Sequence, residues 1–562
     1  MPTPDGNAEA AGCWRAAVRL LGDAGVRDLF GLPGDDLAVL DAAAESDVRF
    51  TLCRDQRNAA FMACGYAIQS GRLAVAVVGK GPAVTNALTG VLEAAGSSAP
   101  VLLLSGGTSA RSRGSGGFQE LDQLPVLAPL VKWAARVDHP ARVAPMLRRA
   151  VLTARSGAPG PVYLELPDHL LDEPIPLPAH GFPEVEAPQR AGGSAGAEVV
   201  RRAERPIVVV GGGMRHRNAD RAVERFAAEF GAAMSCTASG RGSVDEDHPA
   251  FVGLSGLYAP EPAAALWDAA DCVIALGTRL EETAVDHWPE RIGTAVPVVQ
   301  VNARETDLAP EYGGPLIVGD ALDVLRGWLD RGPAGSRGKW GDRVRAVHEE
   351  LRDQHRRRLE RLRAAPGLHI EEVLSAIDEV VPRNRVLVQE NGLQDMWSYR
   401  YPAYSCGADG GSVVPCEQTS LGFGAAAAVG VKLAAPERPV VAFVGDGAFR
   451  MVDADLLTAV QAGGVLYVVL RNGGYGWLQS QLGQDRPAAR RFSFLDGEDL
   501  RIPEHPRLHH RVVPDGSALE PVLAEAWRQC ADGGVVVLEV PVRLQDALFD
   551  AAGDFPVAPE NG

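Results

Sequence analysis

"VVAFVGDGAFRMVDADLLTAVQAGGVLYVVLRNGGYG", residues 440–476, decides how the rest of the chain is read. An apolar run of strand length ends at Val444, and Gly445-Asp446-Gly447 follows it. A helical stretch covers roughly Asp453 to Ala462, and a second apolar run, "VLYVVL", ends at Leu470 ahead of Asn472-Gly473-Gly474. Strand, helix and strand in that order predict a right-handed βαβ unit, which brings both strand ends to one edge of a parallel sheet. Asp446 and Asn472 then become neighbours across 26 residues of chain. Ligands of open α/β sheets bind at that carboxyl edge. A carboxylate, an amide oxygen and a nearby backbone carbonyl suit a hard cation such as Mg2+, which keeps positions open for phosphate and water. The glycines let the backbone approach phosphate oxygens, and the N–H groups of Ala448 and Phe449 stand at the helix entry. Gly-Asp-Gly alone is also an ordinary surface turn, so the wider pattern has to decide.

Working outward, apolar runs alternate with helical patterns along the whole chain. "VRDLFGL" (26–32), "FTLC" (50–53), "LAVAVVG" (73–79) and "PVLLLSG" (100–106) each precede a turn and then an amphipathic stretch. A second block runs from "RPIVVVGGGM" (205–214) through "DCVIALGTRL" (271–280) and "VPVVQVN" (296–302). A third opens near Leu368 and contains "RVLVQENG" (385–392), the opening stretch, and "GGVVVLEVPV" (533–542). Such alternation predicts an α/β protein of three domains, each a mainly parallel sheet flanked by helices. The expected limits are 1–175, 190–335 and 365–550, with a Pro- and Gly-rich linker within 166–196. "WGDRVRAVHEELRDQHRRRLERLRAAPG" (340–367) reads as a charged, solvated connecting helix.

The chain has 562 residues, 46% of them hydrophobic, which is ordinary for a globular protein, and a length that favours several domains over one. A net charge of -17 argues against a nucleic-acid partner, because phosphate backbones need basic faces. The eight cysteines are scattered without any CxxC pair, which speaks for a reducing cytosol and against zinc. "MPTPDGNAEAAG" has neither region of a signal peptide, and the longest apolar runs are too short to span a bilayer, so no membrane partner is expected.

Gly445-Asp446-Gly447 with Asn472-Gly473-Gly474 resembles the thiamin diphosphate signature of the pyruvate oxidase and acetohydroxyacid (acetolactate) synthase superfamily. "FGLPGD" (30–35), "GPAVTNALTG" (81–90), "GGFQELDQ" (116–123) followed by "PLVKWAARV" (129–137), and "TSLGFGAAAAVGVKLAAPERPVVAFVGDG" (419–447) resemble that family in the expected order. The resemblance implies a pyrimidine-binding, a central and a diphosphate-binding domain. It implies Mg2+ on Asp446, Asn472 and the carbonyl of Gly474. Gly392, Leu393 and Gln394 match the segment that touches the diphosphate from the other side, and Leu421 the residue that wedges the cofactor into its V shape. The carbonyl of Thr419 would accept from the cofactor's amino group. Leu32, Pro82, Gly445, Gly447, Ala448, Phe449, Tyr475 and Gly476 complete the implied cofactor-binding set.

Members of the family use a glutamate to protonate N1′ of the pyrimidine, which lets the cofactor activate its own C2. In "LCRDQRNAAFMACGYA" (52–67), counting back nine residues from Gly65 places Gln56 at that post. Asp55 would match only with a one-residue slip, about 100° around the following helix. Glutamine can hydrogen-bond N1′ but has no proton to hand over.

Phe118 and Gln119 match the family's substrate-side loop, and the glutamine there orients substrate. Lys80 stands where small residues are usual, either to receive a substrate carboxylate or as a solvated cation. Arg486, Arg490 and Arg491 invite the same question, with a surface role as the plainer reading. His505, His509 and His510 lack any metal-ligand spacing. "GGGM" and "GTRLEE" lie where acetohydroxyacid synthases contact FAD, a second cofactor that these turns allow but do not favour. The resemblance thus implies a cytoplasmic carboligase or lyase, acetolactate synthase-like. It would act on a 2-oxo acid through an acyl carbanion or enamine intermediate and pass the fragment to an acceptor. A homodimer or homotetramer with the active site at the subunit interface is implied as well. The rival expectations are a simple 2-oxo acid decarboxylase and a catalytically weak cofactor-binding protein with a structural or regulatory role.

Overall fold

The computed structural model describes residues 10–34, 37–171, 173–177, 196–293, 295–335, 338–482, 487–495 and 500–543. Three six-stranded sheets, parallel in every pairing, organise them. The first contains β1 (Asp28–Leu32), β2 (Arg49–Leu52), β3 (Ala74–Val78), β4 (Val101–Gly107), β5 (Ala134–Arg136) and β6 (Val162–Pro167), in the order β2-β1-β3-β4-β6-β5. The second contains β7 (Pro206–Val210), β8 (Ala233–Cys236), β9 (Phe251–Leu254), β10 (Cys272–Leu276), β11 (Val298–Asn302) and β12 (Leu316–Val318), in the order β9-β8-β7-β10-β11-β12. The third contains β13 (Val386–Gln389), β14 (Ser412–Val413), β15 (Val440–Gly445), β16 (Val465–Arg471), β17 (Leu508–Val512) and β18 (Val535–Pro541), in the order β14-β13-β15-β16-β18-β17.

The three-domain α/β architecture expected from the alternation is therefore present. Central strands such as "AVAVV" and "CVIAL" are buried at every position, because helices cover both faces of a parallel sheet. The first and third sheets repeat one strand order. In each sheet one pair of neighbouring strands sends its onward connections in opposite directions: β1 and β3, β7 and β10, and β13 and β15. The crevice outside the strand ends at such a switch point is where open α/β sheets bind ligands.

Apolar runs miss the polar edge strand β17, "LHHRV", which lies in a stretch that reads as proline-broken. Its ladder to β18 and the inward turn of Leu508 make it a strand, where propensity alone would not. The charged helix Gly338–Arg363 is likewise only partly solvated, since Trp340, Val344, Val347, His348 and Leu351 form a buried stripe along it.

The chain forms two compact units. One holds the first sheet together with residues 418–436 and 454–462, and the other holds the second and third sheets. Chain order would have left those two short segments with the third sheet. In the first unit, α1 (Gln56–Ser70) is apolar on nearly every side. It is packed by α2 (Pro82–Gly96) and α3 (Phe423–Ala434) as well as by the sheet. Glycine makes the contacts close. A Cβ on Gly430 would lie 1.8 Å from the Met62 carbonyl oxygen, and one on Gly65 would lie 2.6 Å from that of Ala427. Phe61 and Phe423 meet edge to face at 5.7 Å. The second unit encloses an ion pair, Arg241 with Glu246, at 2.7 and 3.0 Å and without solvent exposure. No helix among the described residues is long and apolar enough to cross a membrane. All eight cysteines are buried and none forms a disulfide.

Candidate active site

At the switch point of the third sheet, β15 ends in Gly445 and Asp446 opens a short helix, Asp446–Phe449. Asp446 is fully buried. Its Oδ1 accepts from the backbone N–H of Gly447 (2.8 Å) and Gly474 (3.2 Å), and its Oδ2 from those of Asn472 (3.1 Å) and Gly473 (2.8 Å). The βαβ unit thus brings Asp446 and the 472–474 turn together as its strand order requires, and the backbone makes the contact. Burial pushes the Asp446 carboxyl up, while those N–H groups and Arg471, 3.7 Å away, pull the other way.

Gly473 and Gly474 adopt φ of 89° and 146°, which only glycine holds without strain. A Cβ on Gly447 would press against the Tyr475 ring at 2.7 Å and the Gly474 carbonyl oxygen at 3.0 Å. That carbonyl accepts from the N–H of Gly476, the first residue of a helix, while the Tyr475 ring packs on Phe494. Ala448 and Phe449 turn their side chains into the core. Across the crevice, Gly392 (φ 149°) and the buried Leu393 follow β13. The Gln394 amide donates to the carbonyls of Glu390 and Asn391, both at 3.0 Å. It lies between the two turns: a Cβ on Gly392 would be 2.8 Å from it, and one on Gly445 would be 3.4 Å away. Beside it Asp395, pushed up to about 8 by burial, accepts from the N–H of Gly392 and Met396.

These residues fit a metal-bound diphosphate. The glycines form a cradle that side chains would fill, and the oxygens of Asp446, Asn472 and Gly474 are the hard donors that Mg2+ takes. Among the described residues no group of three His, Cys, Asp or Glu side chains could hold a metal by itself. The ion would therefore draw further ligands from phosphate and water.

The switch point of the first sheet collects the other candidates. Leu32 ends β1 and pairs with Val78 at the end of β3. Lys80 lies in the turn beyond β3, and Pro82 is the first residue of α2. Gln56 opens α1, with Asp55 as its N-cap. Oδ1 of Asp55 accepts from the N–H of Arg57 (2.9 Å) and Asn58 (3.2 Å). The Asn86 side-chain amide donates to Gln56 Oε1 at 2.8 Å and to Asp55 Oδ2 at 3.2 Å. Asp55 thus serves the helix end, and Gln56 keeps its Nε2 as a donor. The turn is pinned by Asp455, nine residues beyond Asp446, whose carboxylate accepts from the Arg54 N–H (2.8 Å) and the Asn58 amide (2.7 Å).

The substrate-side loop is wound around Glu120, whose carboxylate accepts from the N–H of Gly114 (2.5 Å), Gly116 (3.0 Å) and Gly117 (2.9 Å). It presents Phe118 at 69% exposure, and next to it Gln119 at φ 53°. Gln119 abuts Gly81, where a Cβ would be 2.5 Å from its carbonyl oxygen. Buried Gln123 accepts from the Gly81 N–H (2.7 Å) and donates to Tyr163, Glu165 and the Gly106 carbonyl. In the segment before α3, Thr419 holds φ 45° and Leu421 is 36% exposed, an apolar side chain presented outward.

Other expectations resolve simply. His510 bonds Glu539 at 2.5 Å, and His505 accepts from the Arg507 N–H, so each has a structural task. Arg490 and Arg491 lie on an exposed 3-10 turn, and Arg486 lies outside the described residues. At the second sheet's switch point the "GGGM" and "GTRL" turns touch backbone to backbone, with a Cβ on Gly211 only 2.3 Å from the Gly277 carbonyl oxygen. Sequence reasoning missed Asn86, Glu120, Gln123 and Asp455. Glu120, Gln123 and Asp455 hold backbone N–H groups and Asn86 holds the side chains of Asp55 and Gln56, tasks that leave no spacing signal. Only their nearness to quoted motifs could have pointed to them.

Comparison with known proteins agrees with this geometry. The chain matches the N-terminal TPP-binding domain of thiamine pyrophosphate enzymes over residues 14–126. It matches their central domain over 194–327 and their C-terminal TPP-binding domain over 390–540. It is 30% identical to the probable 2-ketoarginine decarboxylase AruI of Pseudomonas aeruginosa, over 84% of this chain and 83% of that one. It is 28% identical to a probable acetolactate synthase large subunit of Methanocaldococcus jannaschii, over 79% and 77%. It is 29% identical to the sulfoacetaldehyde acetyltransferase of Rhodobacter capsulatus, over 82% of each.

Proposed function

The chain belongs to the thiamine pyrophosphate enzymes, which form or cleave C–C bonds, and on that premise we propose an acetolactate synthase-like carboligation. The donor is a 2-oxo acid and the acceptor a second carbonyl compound. The observation that carries this reading is the Asp446 carboxylate gripping the 472–474 turn opposite Gly392 at the third sheet's switch point. When bound, thiamin diphosphate supplies the electron sink for breaking the bond next to the donor's carbonyl.

The chain's residues then have distinct tasks. Asp446, Asn472 and the Gly474 carbonyl hold Mg2+, and Gly392, Leu393, Gln394, Gly445 and Gly447 shape the diphosphate cradle. Ala448, Phe449, Tyr475 and Gly476 back it. Leu32, Pro82, the Thr419 carbonyl and Leu421 receive the pyrimidine end. Gln56 donates a hydrogen bond from Nε2 and keeps its proton, so proton transfer at that post is slower than a carboxyl would allow. Phe118 shields the reacting carbonyl from water, and Gln119 orients it.

The reading also places Mg2+-dependent cofactor binding in a homodimer or homotetramer with the active site at the subunit interface, in the cytoplasm. It assigns 1–175 to the pyrimidine, 190–335 to the central and 365–550 to the diphosphate domain. FAD has no part in it. Purified protein with thiamin diphosphate and Mg2+, given single 2-oxo acids with and without an added aldehyde or 2-oxo acid acceptor, tests it by NMR of products. A coupled hydroxyketone or hydroxy acid is expected. The free aldehyde as sole product in both arms would replace carboligation with simple decarboxylation, the activity in the name of the Pseudomonas relative.

A further inference from the structure

We propose that Lys80 is a substrate-binding residue that recognises a carboxylate which survives the reaction. This rests on the carboligase reading above and adds a substrate class to it. Lysine is scarce here: the chain has only Lys80, Lys132, Lys339 and Lys432 among 55 basic residues. Lys80 occupies the turn beyond β3, at the switch point of the first sheet, with its side chain 15% exposed. Lys80 lies beside Gly106 near the end of β4, where a Cβ would be 3.9 Å from the lysine's own Cβ, and its ammonium group bonds Asp168 just beyond β6. The turn itself cannot shift, because Gly81 is bonded by Gln123 and abutted by Gln119. Asp168 is its one acceptor among the described residues, so two of the three N–H groups remain for a ligand or water.

The neighbouring buried groups are already satisfied. Glu165 is paired with Arg136 at 2.5 Å and bonded by Gln123, so it does not compete for Lys80. Asp168, 41% exposed, fixes the ammonium group without enclosing it. A cation held on the carboxylate that leaves as CO2 would stabilise the ground state and oppose the reaction. Lys80 therefore suits a carboxylate that persists: a distal one on a dicarboxylic 2-oxo acid donor, or that of a 2-oxo acid acceptor.

Amine labelling of the loaded holoenzyme, mapped by mass spectrometry, reads this without turnover because only four lysine side chains report. The probes are 2-oxoglutarate and lactate, the latter with one carboxylate that this route cannot release. At ten times Kd, labelling of Lys80 is expected to fall about tenfold while Lys132, Lys339 and Lys432 stay unchanged. Protection by 2-oxoglutarate alone assigns the carboxylate to the donor, and protection by both assigns it to the acceptor. D168N, which frees the ammonium group, provides the same reading should pairing slow the basal reaction. In turnover, K80M is expected to raise KM about tenfold to a hundredfold with kcat far less affected, and K80R to restore it. Unchanged Lys80 labelling with both probes in an enzyme that makes product overturns the site alone. Protection without product from any 2-oxo acid overturns the reaction and keeps the site.

Discussion

Gln56→Glu is the most informative single change, because it restores a carboxyl where the chain has an amide. The new group would sit at the first position of α1 and meet Asn86, whose nitrogen lies 2.8 Å from Gln56 Oε1 and 3.2 Å from Asp55 Oδ2. Those two distances put the acceptor oxygens no more than about 6 Å apart. Two negative charges at that separation repel by about 0.7 kcal/mol in a water-like medium and by about 3 kcal/mol at an effective dielectric near 20. The helix N-terminus works against this by about 0.3–1 kcal/mol in favour of the anion. In wet surroundings the two effects cancel, and in drier ones repulsion wins. Since both positions are only half-buried, the balance leans modestly toward a carboxyl that keeps its proton. A proton available there is worth about 10² to 10⁴ in rate, or roughly 3–5 kcal/mol of barrier. The assay is exchange of the C2 hydrogen of bound thiamin diphosphate in deuterated buffer, quenched and read by NMR between about pH 5 and 8. Q56E is expected to exchange at least tenfold faster than the natural chain at the lower end of that range. Equal exchange in the two proteins across the range, with equal cofactor occupancy, would refute the assignment of Gln56 to the pyrimidine.

Three further outcomes follow from the geometry. D446N removes the charge that four backbone N–H groups share, so the stabilisation by thiamin diphosphate with Mg2+ (about 2.7 kcal/mol at a hundred times Kd) is expected to vanish in thermal melts; a retained shift would remove Asp446 from the metal site. G430A places a methyl group against the Met62 carbonyl oxygen and is expected to cost about 1–3 kcal/mol, seen as a lowered Tm; an unchanged Tm would mean that α3 does not lie on α1 so closely. His369 caps its helix by accepting the Glu371 N–H at 3.1 Å, and burial first, then Arg358, Arg543 and Arg400, hold the ring down to about 3. Its folded value lies below the unfolded one near 6.5, so its contribution is complete above that pH and lost as pH falls toward 3, at about 1.4 kcal/mol per pH unit. Urea titrations are expected to show a shallower acid slope in H369N, and an identical slope would show that the ring protonates freely in the native state.

What the sequence determined by itself was the part of this protein written in local patterns. Alternating apolar runs and helical stretches specify three parallel sheets, because buried central strands are apolar at every position and short. Gly445-Asp446-Gly447 and Asn472-Gly473-Gly474 were legible because a βαβ unit has one hand and therefore one place for both strand ends. Tertiary structure alone decided how those ends are joined, since the Asp446 carboxylate binds backbone N–H groups that no residue pattern records. It also decided that α3 packs on α1, through glycines whose meaning depends on a helix more than 350 residues away in the chain, and that Glu120, Asn86 and Asp455 fix the candidate loops. The pairing of Lys80 with Asp168 belongs there too. A sequence carries the period of each element, whereas the partner of a buried charge is set by which strand ends the completed sheet brings side by side.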